Sequence, residues 1–457
     1  MNVVVIGGGP AGLYFSLLLK RAAPNHQITL LERNAADDTF GWGVVFSDQT
    51  LAHFRDADQP TYQAITDNFA HWDDIDIHYR GRVITSGGHG FSGIARRKLL
   101  QILQDRAREL DVELRFGCEV AGRAGLARMG LDDADLIVAA DGVNSSFRRE
   151  GAAAFRPSLD VRTARFVWLG TTRRFDAFHF IIVETPAGVY QAHAYRFEPD
   201  RSAFIVECDE RSWRAAGFDR MDIDQTVAAC EEMFGPWLDG HRLLVNIPPH
   251  QRAHPWVTFT IVRNEQWHHD RVVLLGDAAH TAHFSIGSGT KLAMEDAIVL
   301  AREVAALGDN PCADELHAAL DHYQAERQTE ALRLQNAARN SMEWFENVRR
   351  YLSLAPEQFA YSLLTRSQRV SHENLRLRDR EYLEGVERWF GQADGRTGGQ
   401  TDRRTGEPTD SDSAGRRPAG SSDSQPVSPS VRPSVSPPLF TPFRLRGILL
   451  PNRIVVS

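Results

Sequence analysis

The sequence predicts an α/β protein: a Rossmann-like, parallel-sheet domain interrupted by an inserted antiparallel β-sheet domain and followed by a C-terminal helical region. Three observations carry this. The chain opens NVVVIGGGPAGLYFSLLLKRAAPNHQITLLER, which reads as a buried strand, a glycine-rich turn, a helix and a second strand, QITLLER. Its middle is dense in aromatic and β-branched runs broken by turn residues, such as FHFIIVETPAGVYQAHAYRF. A further apolar strand, RVVLLGDAAH from Arg271, then precedes the amphipathic run TKLAMEDAIVLARE. The chain therefore leaves its first domain and returns to it.

Between these landmarks, IDIHYRGRVITSGG alternates like a hairpin, and ARRKLLQILQDRAREL is an amphipathic helix with Leu99, Leu100, Ile102, Leu103 and Leu110 on or near one face. VELRFGCEV and ADLIVAADG read as two more strands, the second a buried one returning to the first sheet. The expected organisation is a discontinuous nucleotide-binding domain over residues 1–154 and 266–310, an antiparallel substrate domain over 155–265, and helices over 311–390. Residues 391–437 are Gly, Ser, Pro, Asp and Arg with almost no apolar content, so they are expected to be a disordered linker. Residues 438–457 become apolar again.

At 457 residues the chain has room for two or three domains and a sizeable core. A net charge of -8 with no dense basic block points away from nucleic acid and from a polybasic membrane patch. The four cysteines, Cys118, Cys208, Cys230 and Cys312, form no C-x-x-C pair; no metal site or disulfide framework is expected, and a reducing cytoplasm fits. The apolar N-terminus is broken by glycines and lacks a preceding basic region, unlike a signal peptide. No 18 apolar residues run together, so no membrane span is expected.

The chemistry concentrates in short motifs. Gly7-x-Gly9-x-x-Gly12 stands between strand and helix, and Glu32 closes the next strand. The first glycine permits the tight turn, the second lets backbone approach a pyrophosphate at the helix N-terminus, and the third lets helix and strand pack. Glu32 would accept hydrogen bonds from a ribose diol, and Ala11 and Arg33 join the same cofactor set. An acid at that position suits FAD or NAD. The stretch GDAAHTAHFSIGSG favours FAD, because a second anchoring site some 270 residues away serves only a ligand of that size. Asp277 is placed to bind ribityl hydroxyls, and the Gly287-x-Gly289 turn would aim helix N–H groups at the flavin pyrimidine edge.

GGGPAG, AADGVNSSFR and GDAAH occur here in the order and context of the class A flavoprotein aromatic monooxygenases, of the para-hydroxybenzoate hydroxylase type. The resemblance covers roughly residues 1 to 390. It implies that Asp141, Gly142, Ser145 and Arg148 lie by the cofactor, that Arg96 contacts FAD, and that Gly43-Val44 approaches the isoalloxazine. Two departures narrow it: His283 and Phe284 stand where many relatives have a Pro pair, and the Arg that many relatives carry before the Gly-Val is absent from Gly41-Trp42-Gly43-Val44. FGWGVVFSDQTL and GDAAHTAHFSIGSGTKLAMEDA resemble the salicyloyl-CoA 5-hydroxylase and anthraniloyl-CoA monooxygenase group, with the tryptophan-derivative hydroxylase of violacein synthesis more distant. PLFTPFRLRGILLPNRIVVS resembles the first strand of the old yellow enzyme barrel, stopping about twenty residues into a fold of about 250, so no reductase activity is expected.

The resemblance implies an FAD-dependent hydroxylase in which NADH or NADPH reduces the flavin and O2 gives a C4a-hydroperoxide. Its distal oxygen then passes to the 5-position of an aromatic acyl-CoA such as salicyloyl-CoA or 2-aminobenzoyl-CoA. A free aromatic acid, a tryptophan-derived substrate or flavin binding without turnover are the alternatives. A halogenase would need W-x-W-x-I-P, which is absent. His283 is the candidate catalytic residue, as a hydrogen-bonding group or a general base near neutrality. His280 is expected to act locally in its turn. Trp42, Phe46 and Phe284 are candidates for the ring pocket, and Arg80, Arg82, Arg173 and Arg174 for the CoA phosphates.

Overall fold

Short runs of Val, Ile and Leu buried on both faces set the main sheet. Asn2–Ile6 pairs in parallel with Gln27–Glu32 on one side and Leu136–Ala139 on the other. Gln27–Glu32 pairs with Glu113–Phe116, and Leu136–Ala139 with the returning strand Val272–Leu274, again in parallel. His268–His269 adds an antiparallel edge. Val3 to Ile6 are at most 4% exposed, as a parallel sheet covered by helices requires. The computed structural model describes residues 1–47, 52–398, 443–445 and 448–450, and they divide into two units, Met1–Ser371 and His372–Ser457.

The first turn is set by steric necessity. Gly7 has φ +111°, and a Cβ there would stand 2.3 Å from the Ala140 carbonyl oxygen; one at Gly12 would stand 2.1 Å from the oxygen of Gly7. Only glycine lets the helix Pro10–Ala22 start this close to the strand ends. Pro10 in its first turn has no N–H to leave unsatisfied, and its fixed φ suits a helix start. The helix Gly289–Ala305 packs beside it.

A seven-stranded sheet forms the second layer, in the order Leu243–Leu244, Arg165–Thr171, Arg201–Cys208, Gly188–Glu198, Phe178–Thr185, Ile75–Tyr79, Arg82–Ser86. The sequence reading placed residues 75–86 in the nucleotide-binding domain. Instead their hairpin joins this sheet, because Ile75–Tyr79 pairs in parallel with Phe178–Thr185, Asp76 opposite His179. A hairpin pattern specifies its own partner strand but not the sheet whose edge it extends. Alternation then gives the sheet two characters. Tyr190, Ala192 and Ala194 pack with Phe204 and Val206 in one core beneath the helix Ile223–Leu238, whose start is held by an Asp222/Gln225 capping box. Tyr195, Phe197 and Ile205 face the other way, into a core with Val45 and Trp72. A three-stranded sheet, Gly43–Ser47, Phe91–Ala95 and Ala70–Trp72, stands on that side.

The 34-residue helix Ala313–Glu346 locks the returning turn in place. Arg327 Nε donates to Asp296 Oδ1 at 2.8 Å, and His280 Nε2 pairs with Asp296 Oδ2 at 2.7 Å, all three being buried. Burial alone would raise the Asp296 carboxyl, but His280 and Arg327 outweigh it and hold it below the usual carboxylate range. Gln335 Nε2 donates to the carbonyls of Val262 and Thr281, and Tyr323 OH to that of Leu274.

In the second unit, His372–Arg378 and Arg380–Gly398 are helices, with Glu387 accepting from Arg376 and paired with His372. The second helix runs eight residues into the stretch expected to be linker, 391–437. GQADGRTG contains no proline, and extending a formed helix costs far less than nucleating one. Residues 399–442 lie outside the described residues. So does most of the stretch 438–457, of which Phe443–Leu445 and Ile448–Leu450 form an antiparallel pair.

Asp296→Ala would leave Arg327 with only the longer Glu295 contact at 3.3 Å and His280 without its carboxylate. A loss of about 3–5 kcal/mol of stability is expected in urea denaturation. A loss below about 1 kcal/mol would show that the network does not hold the turn.

Candidate active site

The opening turns of two helices meet at the GDAAH turn, where a Cβ on Gly276 would lie against both Ala11 and Ala293. Neither Pro10–Ala22 nor Gly289–Ala305 has a side-chain cap, so their first N–H groups and positive dipole ends are left for a ligand. Gly9, at the cap of the first helix, has φ -74°, and a Cβ there would meet nothing within 4 Å. Gly8 N–H donates to Glu32 Oε2 at 2.7 Å, and Asn34 donates twice to Glu32 Oε1. That orients the carboxylate while leaving Oε2 a lone pair for a ribose hydroxyl. Arg33 is exposed beside it. Ala11 contributes by packing: a Cβ on Gly276 would lie 3.0 Å from the Ala11 Cβ, so the GDAAH turn rests on the first helix.

Asp277 and Arg96 define the middle of the cleft. Asp277 keeps accessible surface although protein surrounds it, the condition of a group lining a deep cleft. Burial pushes its carboxyl up, and His280 and Arg96 pull it back. Burial likewise lowers the half-buried Arg96 guanidinium, with Asp277 opposing. Neither side chain makes a hydrogen bond or ion pair among the described residues. Asp141 accepts from the N–H and Oγ of Ser146 through Oδ2, while its buried Oδ1 has no partner among the described residues. Gly142 has φ +78° with open space around it. Ser145 and Arg148 are committed elsewhere: Ser145 caps a short helix, and Arg148 donates to the carbonyls of Ala278 and Val143, tying the second motif to the third.

This donor and acceptor set fits FAD: an acid for the ribose, uncapped helix ends for the pyrophosphate, and an unpaired carboxylate and guanidinium deeper in. Glu32, Asp141, Asp277, Arg96 and the helix ends at Gly9 and Gly289 would hold it, with Gly287 (φ +61°) turning the chain into the second helix. Gly287 packs near Val45, and Arg96 N–H donates to the Trp42 carbonyl, which brings the edge strand at Gly43 and Val44 to the same place. The Val44 side chain lies in the first core and Gly43 is pinned against Phe197, where a Cβ would stand 2.5 Å from that residue's Cβ.

Beyond this strand lies an aromatic slot. Trp42, Phe166, Trp168 and Phe284 are half-buried and pack against the core of Tyr195, Phe197 and Ile205. Trp42 lies flat over Gly170, where a Cβ would come within 2.6 Å of its ring, and Phe284 meets Phe166 at 4.7 Å. The indole N–H groups of Trp42 and Trp168 have no acceptor among the described residues. Phe46 is a correction: it is 1% exposed, edge-on to Phe54, and belongs to the first core. Side-chain alternation in Gly43–Ser47 sends it away from the slot.

His283 also departs from expectation. It is buried, its Nδ1 accepts from Ser285 N–H at 3.3 Å and pairs with Ser285 Oγ at 2.9 Å, and its ring lies against Phe284. Burial pushes it down to about 4, with Glu207 opposing, so it is neutral at physiological pH and a weak base. It positions Phe284. Behind Phe284 sit three polar residues that the sequence reading missed, Gln191, His193 and Glu207, with Arg366 beside them. Their signal is the inward face of YQAHAY, polar at alternate positions of a strand buried throughout that stretch. Arg80, Arg82 and Arg173 pair with Glu184, Glu357 and Asp239, and Arg174 is exposed; the fold does not gather them.

A further polar cluster, Asp76, His78 and His179, lies at the hairpin edge of this sheet. Trp237 Nε1 donates to His78 Nδ1, so neutral His78 carries its proton on Nε2, which faces His179 Nδ1 at 2.8 Å. Thus committed, His78 has no lone pair for a cation.

Cradle, slot and fold together define an FAD-dependent aromatic monooxygenase of class A. Residues 1–338 match the FAD binding domain family, and the chain belongs to it. Salicyloyl-CoA 5-hydroxylase from a Streptomyces species is 42% identical over 400 residues, 85% of this chain and 74% of that protein. The 3-hydroxy-4-methyl-anthranilyl-(aryl-carrier protein) 5-monooxygenase of Streptosporangium sibiricum is 34% identical over 376 residues, 82% of this chain and 97% of that protein. The solved structure of 2-methyl-3-hydroxypyridine-5-carboxylic acid oxygenase matches with a TM-score of 0.58 at 17% identity, covering 82% of this chain and 97% of that one, a likeness of fold.

Gly9→Val places a side chain in the open space at the helix end without colliding with protein. The variant is expected to fold with an unchanged circular dichroism spectrum and to lose about tenfold or more of its bound flavin absorbance. Full flavin content would move the cofactor away from this turn.

Proposed function

We propose that this flavoprotein monooxygenase hydroxylates the 5-position of an aromatic acid carried as its CoA thioester, salicyloyl-CoA or 2-aminobenzoyl-CoA, using NADH or NADPH and O2. The observation that carries this reading is the aromatic slot at the edge of the cofactor cleft. The two relatives reported above, each named for a 5-position reaction on an aromatic thioester, support the choice of substrate.

FAD, when bound, supplies hydride acceptance and oxygen activation. The chain supplies position and shelter. Trp42, Phe166, Trp168 and Phe284 sandwich a planar ring and exclude water from it. Glu32, Asp277, Arg96 and Asp141, which come from several elements, would hold the cofactor. The thiols of Cys118, Cys208, Cys230 and Cys312 are all free, in keeping with a reducing cytoplasm.

The test is oxygen-dependent NADH and NADPH consumption by flavin-loaded protein with salicyloyl-CoA, anthraniloyl-CoA, the free acids and tryptophan, with products identified by mass. A product one oxygen heavier from an aryl-CoA alone is the expected outcome. Equal turnover of the free acids would remove the thioester from the reading, and flavin binding without any stimulated consumption would remove the hydroxylation.

A further inference from the structure

Glu207, Gln191 and His193 lie behind Phe284, on the face of the seven-stranded sheet turned towards the aromatic slot. Gln191 and Glu207 are register partners on neighbouring strands, and His193 is two residues further along the same face. Each is at most 1% exposed. Glu207 Oε2, His193 Nε2 and Gln191 Oε1 nevertheless have no hydrogen-bond partner among the described residues. Glu207 Oε2 stands 3.3 Å from His193 Nε2 without the geometry of a hydrogen bond. Buried polar atoms are nearly always satisfied, so three open ones side by side mark a place where a polar group is received.

The charged neighbours are engaged elsewhere. Arg366 donates to Ser341 Oγ and to the carbonyls of Leu363 and Ser285, stacked over Phe180 and Phe345. Glu346 is paired with Arg162 at 2.6 Å, and His283 with Ser285. His193 sits 4.6 Å from the Phe345 ring and edge-on to Phe284, so the polar group borders the slot.

We propose that Glu207, with His193 and Gln191 beside it, receives the phenolic hydroxyl of the aromatic substrate and takes its proton. This rests on the aromatic-substrate reading and deepens it: the ring carries a hydroxyl, as in a salicyloyl group, and an amino group there gives a hydrogen bond without the transfer. In the step, the substrate O–H bond breaks and an O–H bond forms at Glu207. The electron pair stays on the phenolic oxygen and feeds the ring carbon para to it. Nothing is oxidised or reduced. Once that carbon has gained its oxygen and shed its hydrogen as a proton to water, Glu207 returns its own proton to the phenolic oxygen.

The electrostatics agree. Burial pushes Glu207 up to about 7, Glu346 adding to the rise while His283 and Arg366 restrain it. Burial pushes His193 down to about 3, with Arg366 adding to the fall, so both neighbouring imidazoles are neutral. Glu207 is therefore the group of this set that changes charge near neutrality. Its accepting form is the carboxylate, present above about pH 7 and lost as pH falls through that value.

The experiment compares binding of salicyloyl-CoA and benzoyl-CoA to the full, flavin-loaded chain between about pH 5.5 and about pH 9, read from flavin difference absorbance and bound phenolate absorbance. Wild type is expected to prefer the hydroxylated ring by about tenfold or more above pH 7, with the preference declining below it. Glu207→Gln should bind both alike, without pH dependence or phenolate signal. His193→Phe, which keeps the ring contacts, should lower the preference about threefold or more. Glu207→Gln with unchanged preference and phenolate signal would overturn the proposal, as would a wild type that binds both thioesters equally. If free salicylate binds and the thioesters do not, the thioester reading fails, and salicylate against benzoate decides the role of Glu207 with the same variants.

Discussion

The buried carboxylate of Asp296 holds the turn on which both halves of the active site depend. It sits between the His280 imidazole and the Arg327 guanidinium, and so joins the GDAAH turn, the helix that follows it and the long helix Ala313–Glu346. From that fixed turn Asp277 faces Arg96, while Phe284, a few residues on, packs with the aromatic residues of the slot. Arg327 also reaches Glu295 at 3.3 Å, so the buried charges form one connected network in which Asp296 holds the central place. The same turn rests on Ala11 through Gly276, which ties the second anchoring site to the first glycine-rich turn.

The second dependence is the two-faced sheet. One face builds an apolar core with the helix Ile223–Leu238, and the other carries Phe166, Trp168, His193, Tyr195 and Glu207 on the side of the aromatic residues. A polar side chain on a strand buried on both faces is tolerated where a partner answers its hydrogen bonds, as the Phe345 carbonyl does for Gln191 Nε2. That links the unpartnered atoms of Gln191, His193 and Glu207 to the half-buried aromatic walls beside them. Glycines at positions 43 and 170 let Phe197 and Trp42 approach the backbone closely.

Much of the fold was legible because its signals are local. The opening βαβ unit, the returning strand at Arg271 and the aromatic middle each announce themselves by periodicity and by glycine placement. Glu32, Asp141, Asp277 and Arg96 were singled out by motifs and family resemblance, and their open donors and acceptors among the described residues suit a cofactor. The hairpin at residues 75–86 was readable as a hairpin, but its sheet was not, since edge pairing is chosen by distant sequence. Helix formation past residue 390 was hidden by a composition typical of linkers.

The sequence by itself determined the class of protein: spacing of glycines and acids along the chain encodes backbone geometry within a few residues, and such geometry is local. Tertiary structure alone decided which side chains do what in the pocket. Phe46 and Phe284 read alike as aromatics near glycine-rich turns, yet strand alternation buries one in the core and packing leaves the other at the slot. His283 read as a base near neutrality, yet complete burial keeps it neutral and gives it a positioning task. Glu207 read as one more residue of a β-strand. Its character comes from removal of water by residues far away in sequence, and desolvation is a property of the assembled fold.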